Sequence, residues 1–138
     1  MAAKFSNLRS LNVKLGKVGP QTVNEVRREL QRGSLAIENT AVEGIIESGA
    51  ARNPGPSLPG EYPAGKSPGG LAQRITSVEA STPGTIRFET GDNVEYGTYL
   101  ELGTSKMAPR PHLTPAYDGN VDKIKANVVA AVKRGART

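Results

Sequence analysis

The sequence predicts an α+β fold: a small antiparallel sheet flanked by a long N-terminal helix and a C-terminal helix, with a long Gly/Pro-rich loop before the sheet. Three observations carry this. An apolar stripe at helical spacing fills the first third, two short alternating segments meet at a Pro-Gly turn, and a second helical stripe closes the chain. The 138 residues suit one domain, 1–138, and 16 Gly with 10 Pro mark long irregular stretches beside the ordered ones.

Residues 1–19 form a basic N-terminal arm in which Leu11, Val13 and Leu15 alternate, as in a short strand or an extended arm. Gly19-Pro20 then opens a helix, since proline suits the first turn. Val23, Val26, Leu30, Ile37, Ala41 and Ile45 follow at steps of three, four, seven, four and four, which predicts a helix from about Pro20 to Ser48. The skipped step falls on Gly33-Ser34, a kink or a point of close approach. Such a helix reaches about 42 Å and needs a broad surface to lie on.

Eleven of the 22 residues from 49 to 70 are Gly or Pro, so this stretch reads as a flexible loop insert. Leu71 to Arg74 can make one helical turn. Ile75–Ala80 and Thr85–Thr90 read as strands joined by Ser81-Thr82-Pro83-Gly84, and Gly91-Asp92-Asn93 as a further turn. Val94 to Gly103 fits a strand and a helix equally well. Pro109, Pro111 and Pro115 predict an extended arm. The last helix starts near Asp118 or Asn120, with Val121, Ile124, Val128 and Val132 at helical spacing.

Charge is unevenly spread. Residues 1–35 carry seven Lys/Arg against Glu25 and Glu29, and residues 121–138 carry five against Asp122, whereas 36–120 hold six basic and ten acidic residues. Basic ends around an acidic centre allow identical subunits to attract head to tail. They also allow nucleic-acid binding through residues 1–17 and 121–138, although Phe5 is the one aromatic in either arm. The absence of Cys and the single His exclude thiolate and multi-histidine metal sites. The longest apolar run is five residues, Val128 to Val132, too short to span a bilayer. Met1 to Ser6 lack the apolar stretch of a signal peptide, so the expectation is a soluble chain without a membrane partner.

Gly60 to Ser67 satisfies the phosphate-loop formula G-x-x-x-x-G-K-[ST] letter by letter. Its mechanism needs a strand before and a helix after, whereas Asn53 to Pro59 precede it and Pro68-Gly69-Gly70 follow. Glu43 and Glu47, four apart, read as a solvated helix face. His112 reads as a packing or interface residue, and no G-x-S-x-G elbow accompanies any Ser. The expectation is no enzyme, no cofactor and no metal.

The segment Tyr96 to Ala116 concentrates the features of an interaction surface. Tyr96 and Tyr99 offer large area with a polar tip, Glu101 sits among apolar neighbours, and prolines stiffen the arm around Arg110. Tyr96-Gly97-Thr98-Tyr99-Leu100-Glu101-Leu102-Gly103-Thr104 followed by Met107-Ala108-Pro109-Arg110-Pro111-His112-Leu113-Thr114-Pro115-Ala116 resembles the signature of the tailed-phage minor tail-component family. Leu102 stands where that pattern has an aromatic, and His112 where it has Phe. Gly70-Leu71 and Arg74-Ile75 resemble its entry to the first strand more loosely.

The resemblance implies a neck, tail-completion or head–tail joining protein of a long-tailed phage, made in the host cytoplasm and built into the virion. It implies a ring of six or twelve subunits that contacts the head connector and tail proteins and lets DNA pass non-specifically through its lumen. A tail terminator ring is the alternative within virion proteins; a basic nucleic-acid-binding protein is the alternative outside them. The interface candidates are Tyr96, Tyr99, Glu101, Thr104, Met107, Arg110, Pro111 and His112, with Leu58 and Tyr62 as anchors of the loop.

Overall fold

The computed structural model describes Phe5 and residues 7–51, 60–63, 71–106 and 108–136, the side chains of 49–51 and 95 excepted. The fold is α+β: one three-stranded antiparallel sheet with three helices. Strands β1 (Asn7–Lys14), β2 (Ile75–Glu79) and β3 (Thr85–Asp92) lie in the order β1-β3-β2, so β3 is central. Helix α1 (Pro20–Ala51) lies over β3 and β2, and α3 (Leu113–Ala136) packs along α1 beside β1. The short helix α2 (Glu95–Leu102) sits against the start of β1, and a 3-10 turn, Leu71–Arg74, leads into β2. No helix among the described residues is long and apolar enough to cross a membrane.

The alternation in β3 sets the layers. Ile86, Phe88, Thr90 and Asp92 turn toward the helices, with Val13, Leu11, Arg9 and Asn7 opposite them on β1. The inner face is therefore apolar at one end and polar at the other. Leu30, Ile37 and Ile45 of α1 complete the apolar part, and full burial of each contributes roughly 1.5–3 kcal/mol. Pro83-Gly84 closes the β2–β3 hairpin, where Gly84 takes a φ of 82° that side-chain-bearing residues avoid.

Helices α1 and α3 run antiparallel and approach closely at small residues. A Cβ at Gly33 would stand 2.9 Å from Ile124, and one at Gly135 would overlap Thr22. Asn120 Nδ2 also donates to Thr40 Oγ1 at 3.0 Å. Gly33-Ser34 is thus a point of close approach inside a continuous helix. The Ser34 carbonyl accepts from the hydroxyls of Ser77 and Thr90, each at 3.2 Å, which ties α1 to the sheet.

The alternating residues of the N-terminal arm take the strand form that the sequence allowed, lying in or beside an edge strand, with Leu15 N–H donating to Gly84 O at 2.9 Å. Other boundaries differ from the sequence expectation. Helix α1 continues three residues further, to Ala51. Strand β3 absorbs Gly91 and Asp92, expected as a turn, because glycine lets β1 pass where a Cβ would overlap Asn7 O. Helix α3 begins at Leu113 instead of Asp118 or Asn120, so Pro115 sits in its first turn, where a missing N–H costs little.

Candidate assembly surface

Residues 94–103, open between strand and helix in the sequence, hold α2 between the caps Val94 and Gly103. Gly97 N–H donates to Val94 O at 3.1 Å at one end, and Gly103, with a φ of 78°, closes the other by donating to Tyr99 O at 2.7 Å. The helix is two-sided. Tyr96, Tyr99 and Leu102 are 47, 49 and 69% exposed, while Gly97 and Glu101 are buried. The spacing of three puts the exposed residues on one helical flank.

The buried flank is a polar cluster. Glu101 Oε1 accepts from the backbone N–H groups of His112 (3.2 Å) and Leu113 (2.9 Å), and Oε2 accepts from that of Thr114 (2.9 Å). Asn7 Nδ2 adds a fourth bond at 3.2 Å from β1. One side chain from α2 therefore caps the N-terminus of α3, where unpaired donors and the helix dipole both favour an anion. Burial pushes the Glu101 carboxyl up, but the N–H groups of Leu113 and Thr114, the Thr114 hydroxyl and His112 outweigh it. The group is held below the ordinary carboxylate range.

His112 Nε2 lies 2.7 Å from Asp92 Oδ2, and Nδ1 lies 3.4 Å from Glu101 Oε1. Donor and acceptor roles in the Nε2–Oδ2 bond follow the imidazole tautomer. Asp92 also accepts from Val94 N–H at 3.3 Å. The three side chains are closed from solvent, with exposures of 0, 0 and 1% for Asp92, His112 and Glu101. This dyad holds β3 to the arm before α3.

Glu101 and His112, expected at an interface, are therefore internal: a neighbouring subunit cannot touch them without unfolding this end of the domain. The Tyr62 ring packs on Gly44 of its own α1, where a Cβ would stand 2.6 Å from the ring, and Ser48 Oγ donates to Tyr62 O at 2.7 Å. Gly60 N–H donates to Pro109 O at 2.9 Å, so Gly60–Pro63 joins α1 to the arm. Burial, then the Glu101 charge, raises the Tyr62 phenol above its usual value. Arg110 and Pro111 are half-buried, and Arg110 N–H donates to Leu100 O at 2.6 Å. Thr104 is exposed, its hydroxyl accepting from Lys106 N–H at 3.2 Å. Leu58, Met107 and the second half of the phosphate-loop formula, residues 64–67, lie outside the described residues.

Asp92, Asn7 and Gly97 belong to this cluster and were missed from sequence. Gly97 has a specific role, because a Cβ there would overlap the Asp92 carboxylate. In an ordinary helix Gly→Ala is favourable by about 1 kcal/mol. Gly97→Ala is expected to destabilise instead, by roughly 1–3 kcal/mol, since overpacking disturbs the Asp92–His112 bond. Chemical denaturation will check the sign.

The arginines of the two basic ends are largely engaged. Arg27 pairs with Glu79 at 3.0 Å, Arg28 with Glu25 at 3.6 Å, Arg32 with Glu29 at 3.4 Å and Arg134 with Glu25 at 3.1 Å. No group of three or more His, Cys, Asp or Glu suited to a metal occurs among the described residues. Comparison with family models, curated proteins and solved structures returns no match.

Proposed function

We propose that this chain is the subunit of a ring at the head–tail junction of a long-tailed phage, a neck or tail-completion protein of the virion. The observation that carries the reading is the two-sided α2. Its inner flank is locked to β1, β3 and α3, so its outer flank presents Tyr96, Tyr99 and Leu102 from a rigid base. Anchored aromatic groups of this kind lose little freedom on binding and suit a stable protein contact. This flank belongs to the segment that resembles the tail-component signature. No chemistry is assigned to the chain: its buried carboxylates and imidazole serve packing and capping.

Size-exclusion chromatography with light scattering, followed by negative-stain imaging, tests the reading. Rings of six or twelve subunits are expected, with association weakening as salt rises. Purified rings should join phage heads to tails that lack this component. A chain that stays monomeric in low salt and at high concentration, and fails to restore joining, overturns the proposal. Steeply salt-dependent retention on DNA by the free subunit would favour a nucleic-acid-binding protein instead.

A further inference from the structure

We infer that the ring contact is a ridge of α1 on one subunit seated in the groove between β1 and α3 of the next; this rests on the ring reading above. The groove is a cavity of about 460 Å³ at the free edge of the sheet. Leu11 and Val13 form one wall, and Tyr117, Val121, Val128 and Val129 the other. Val129 is 53% exposed, and Val132 extends the apolar row along α3. Lys125 lines the groove; Lys14 continues the β1 side, and Lys133 follows one turn after Val129. All three lysines are exposed and make no ion pair with a described residue.

The matching surface is the C-terminal half of α1. Leu35 and Ile46 are 45% and 55% exposed on one side of the helix, with Val42 between them half-buried against the core. At 3.6 residues per turn this row lies roughly opposite Gly33 and Thr40, which face α3. Glu38 flanks one side of the row and Glu43 with Glu47 the other, and no Lys or Arg occurs from 33 to 51. These carboxylates too make no ion pair with a described residue. An acidic-edged apolar ridge is thus available to a basic-edged apolar groove, an amphipathic helix in a groove with complementary charge.

Placement makes a second copy the occupant. The order β1-β3-β2 puts the groove at the β1 side, while α1 overlies β3 and β2, where Arg27 meets Glu79. Ridge and groove therefore occupy opposite flanks of one subunit. A contact between opposite flanks is heterologous and propagates from copy to copy until rotation closes it into a ring. The outer flank of α2 stays outside this contact and remains free for a different partner.

Full-length protein tests this by light scattering and by zero-length carbodiimide cross-linking. Val129→Arg and Ile46→Arg each place a cation at a contact point; each is expected to weaken self-association about tenfold or more with unchanged circular dichroism. Lys125→Glu should weaken it, and adding Glu43→Lys to the same chain should recover part of the loss. Cross-links should join Lys125 or Lys133 of one copy to Glu43 or Glu47 of another. Wild-type rings that persist in both Arg variants overturn these surfaces while leaving the ring reading intact. Rings lost in both variants, yet unable in wild-type form to join heads to tails, support the contact and overturn the junction role. Binding of an added head or tail protein in the groove of a wild-type monomer overturns the inference.

Discussion

Replacing Glu101 with alanine is expected to cost about 3 kcal/mol or more, and to lower the melting temperature by roughly 10 °C. The substitution removes the acceptor of three backbone N–H groups at the start of α3 and of the Asn7 amide. His112 and Leu113 are buried, so water cannot readily replace the lost carboxylate, and each unsatisfied buried donor costs roughly 1–3 kcal/mol. The same bonds predict acid sensitivity. Because the folded carboxyl titrates below its unfolded value, its contribution is complete above the ordinary carboxylate pKa of about 4.3. That contribution is lost as pH falls through the lower, folded value. Glu101→Gln should keep part of the cap through its carbonyl oxygen while losing this pH-dependent share. Thermal melts from neutral pH into acid will check both effects; a Glu101→Ala variant melting with the wild type would remove Glu101 from the cap.

Periodicity made the large elements legible. The apolar steps from Val23 to Ile45 identify α1 because one long face is buried along its whole length. The skipped step at Gly33 marks the contact with Ile124. Pro83-Gly84 marks the hairpin because few other residue pairs fit that turn. The polar end of the inner face was not legible. Asp92 in a Gly-Asp-Asn run reads locally as a turn, and Glu101 among apolar neighbours reads as an interface residue. Their roles come from partners 20 and 11 residues away in sequence, met through the fold. The start of α3 was lost for the same reason, since its cap is borrowed from α2. In the candidate surface, Tyr96 and Tyr99 were legible as large groups with a polar tip. On a strand Leu102 would share a face with Leu100, and the helical turn separates them.

His112→Phe is expected to destabilise the protein by about 3–5 kcal/mol, although Phe is the residue at this place in the resembled pattern and fills a similar volume. The reason is Asp92. It is fully buried, its Oδ2 meets His112 at 2.7 Å, and without the imidazole it keeps the 3.3 Å bond from Val94 N–H. The substitution also leaves two carboxylates, Asp92 and Glu101, at one closed site with no hydrogen-bonding ring between them. Asp92→Val alone should also be costly, stranding Nε2 of His112 without its partner. The double variant, Asp92→Val with His112→Phe, replaces both partners together, and a buried polar pair exchanged for apolar groups of similar size is often neutral. Valine also suits the end of a central strand, and Gly97 leaves the room that Asp92 now occupies. A double-mutant cycle in urea should therefore give a large favourable coupling, with the double variant close to the wild type. Strictly additive losses would mean that the two side chains do not depend on each other. Assembly supplies the second readout: a double variant that melts like the wild type should also form wild-type rings. Failure to assemble at restored stability would require His112 to act on the ring contact itself, through the placement of α3, which it directly precedes and which walls the groove.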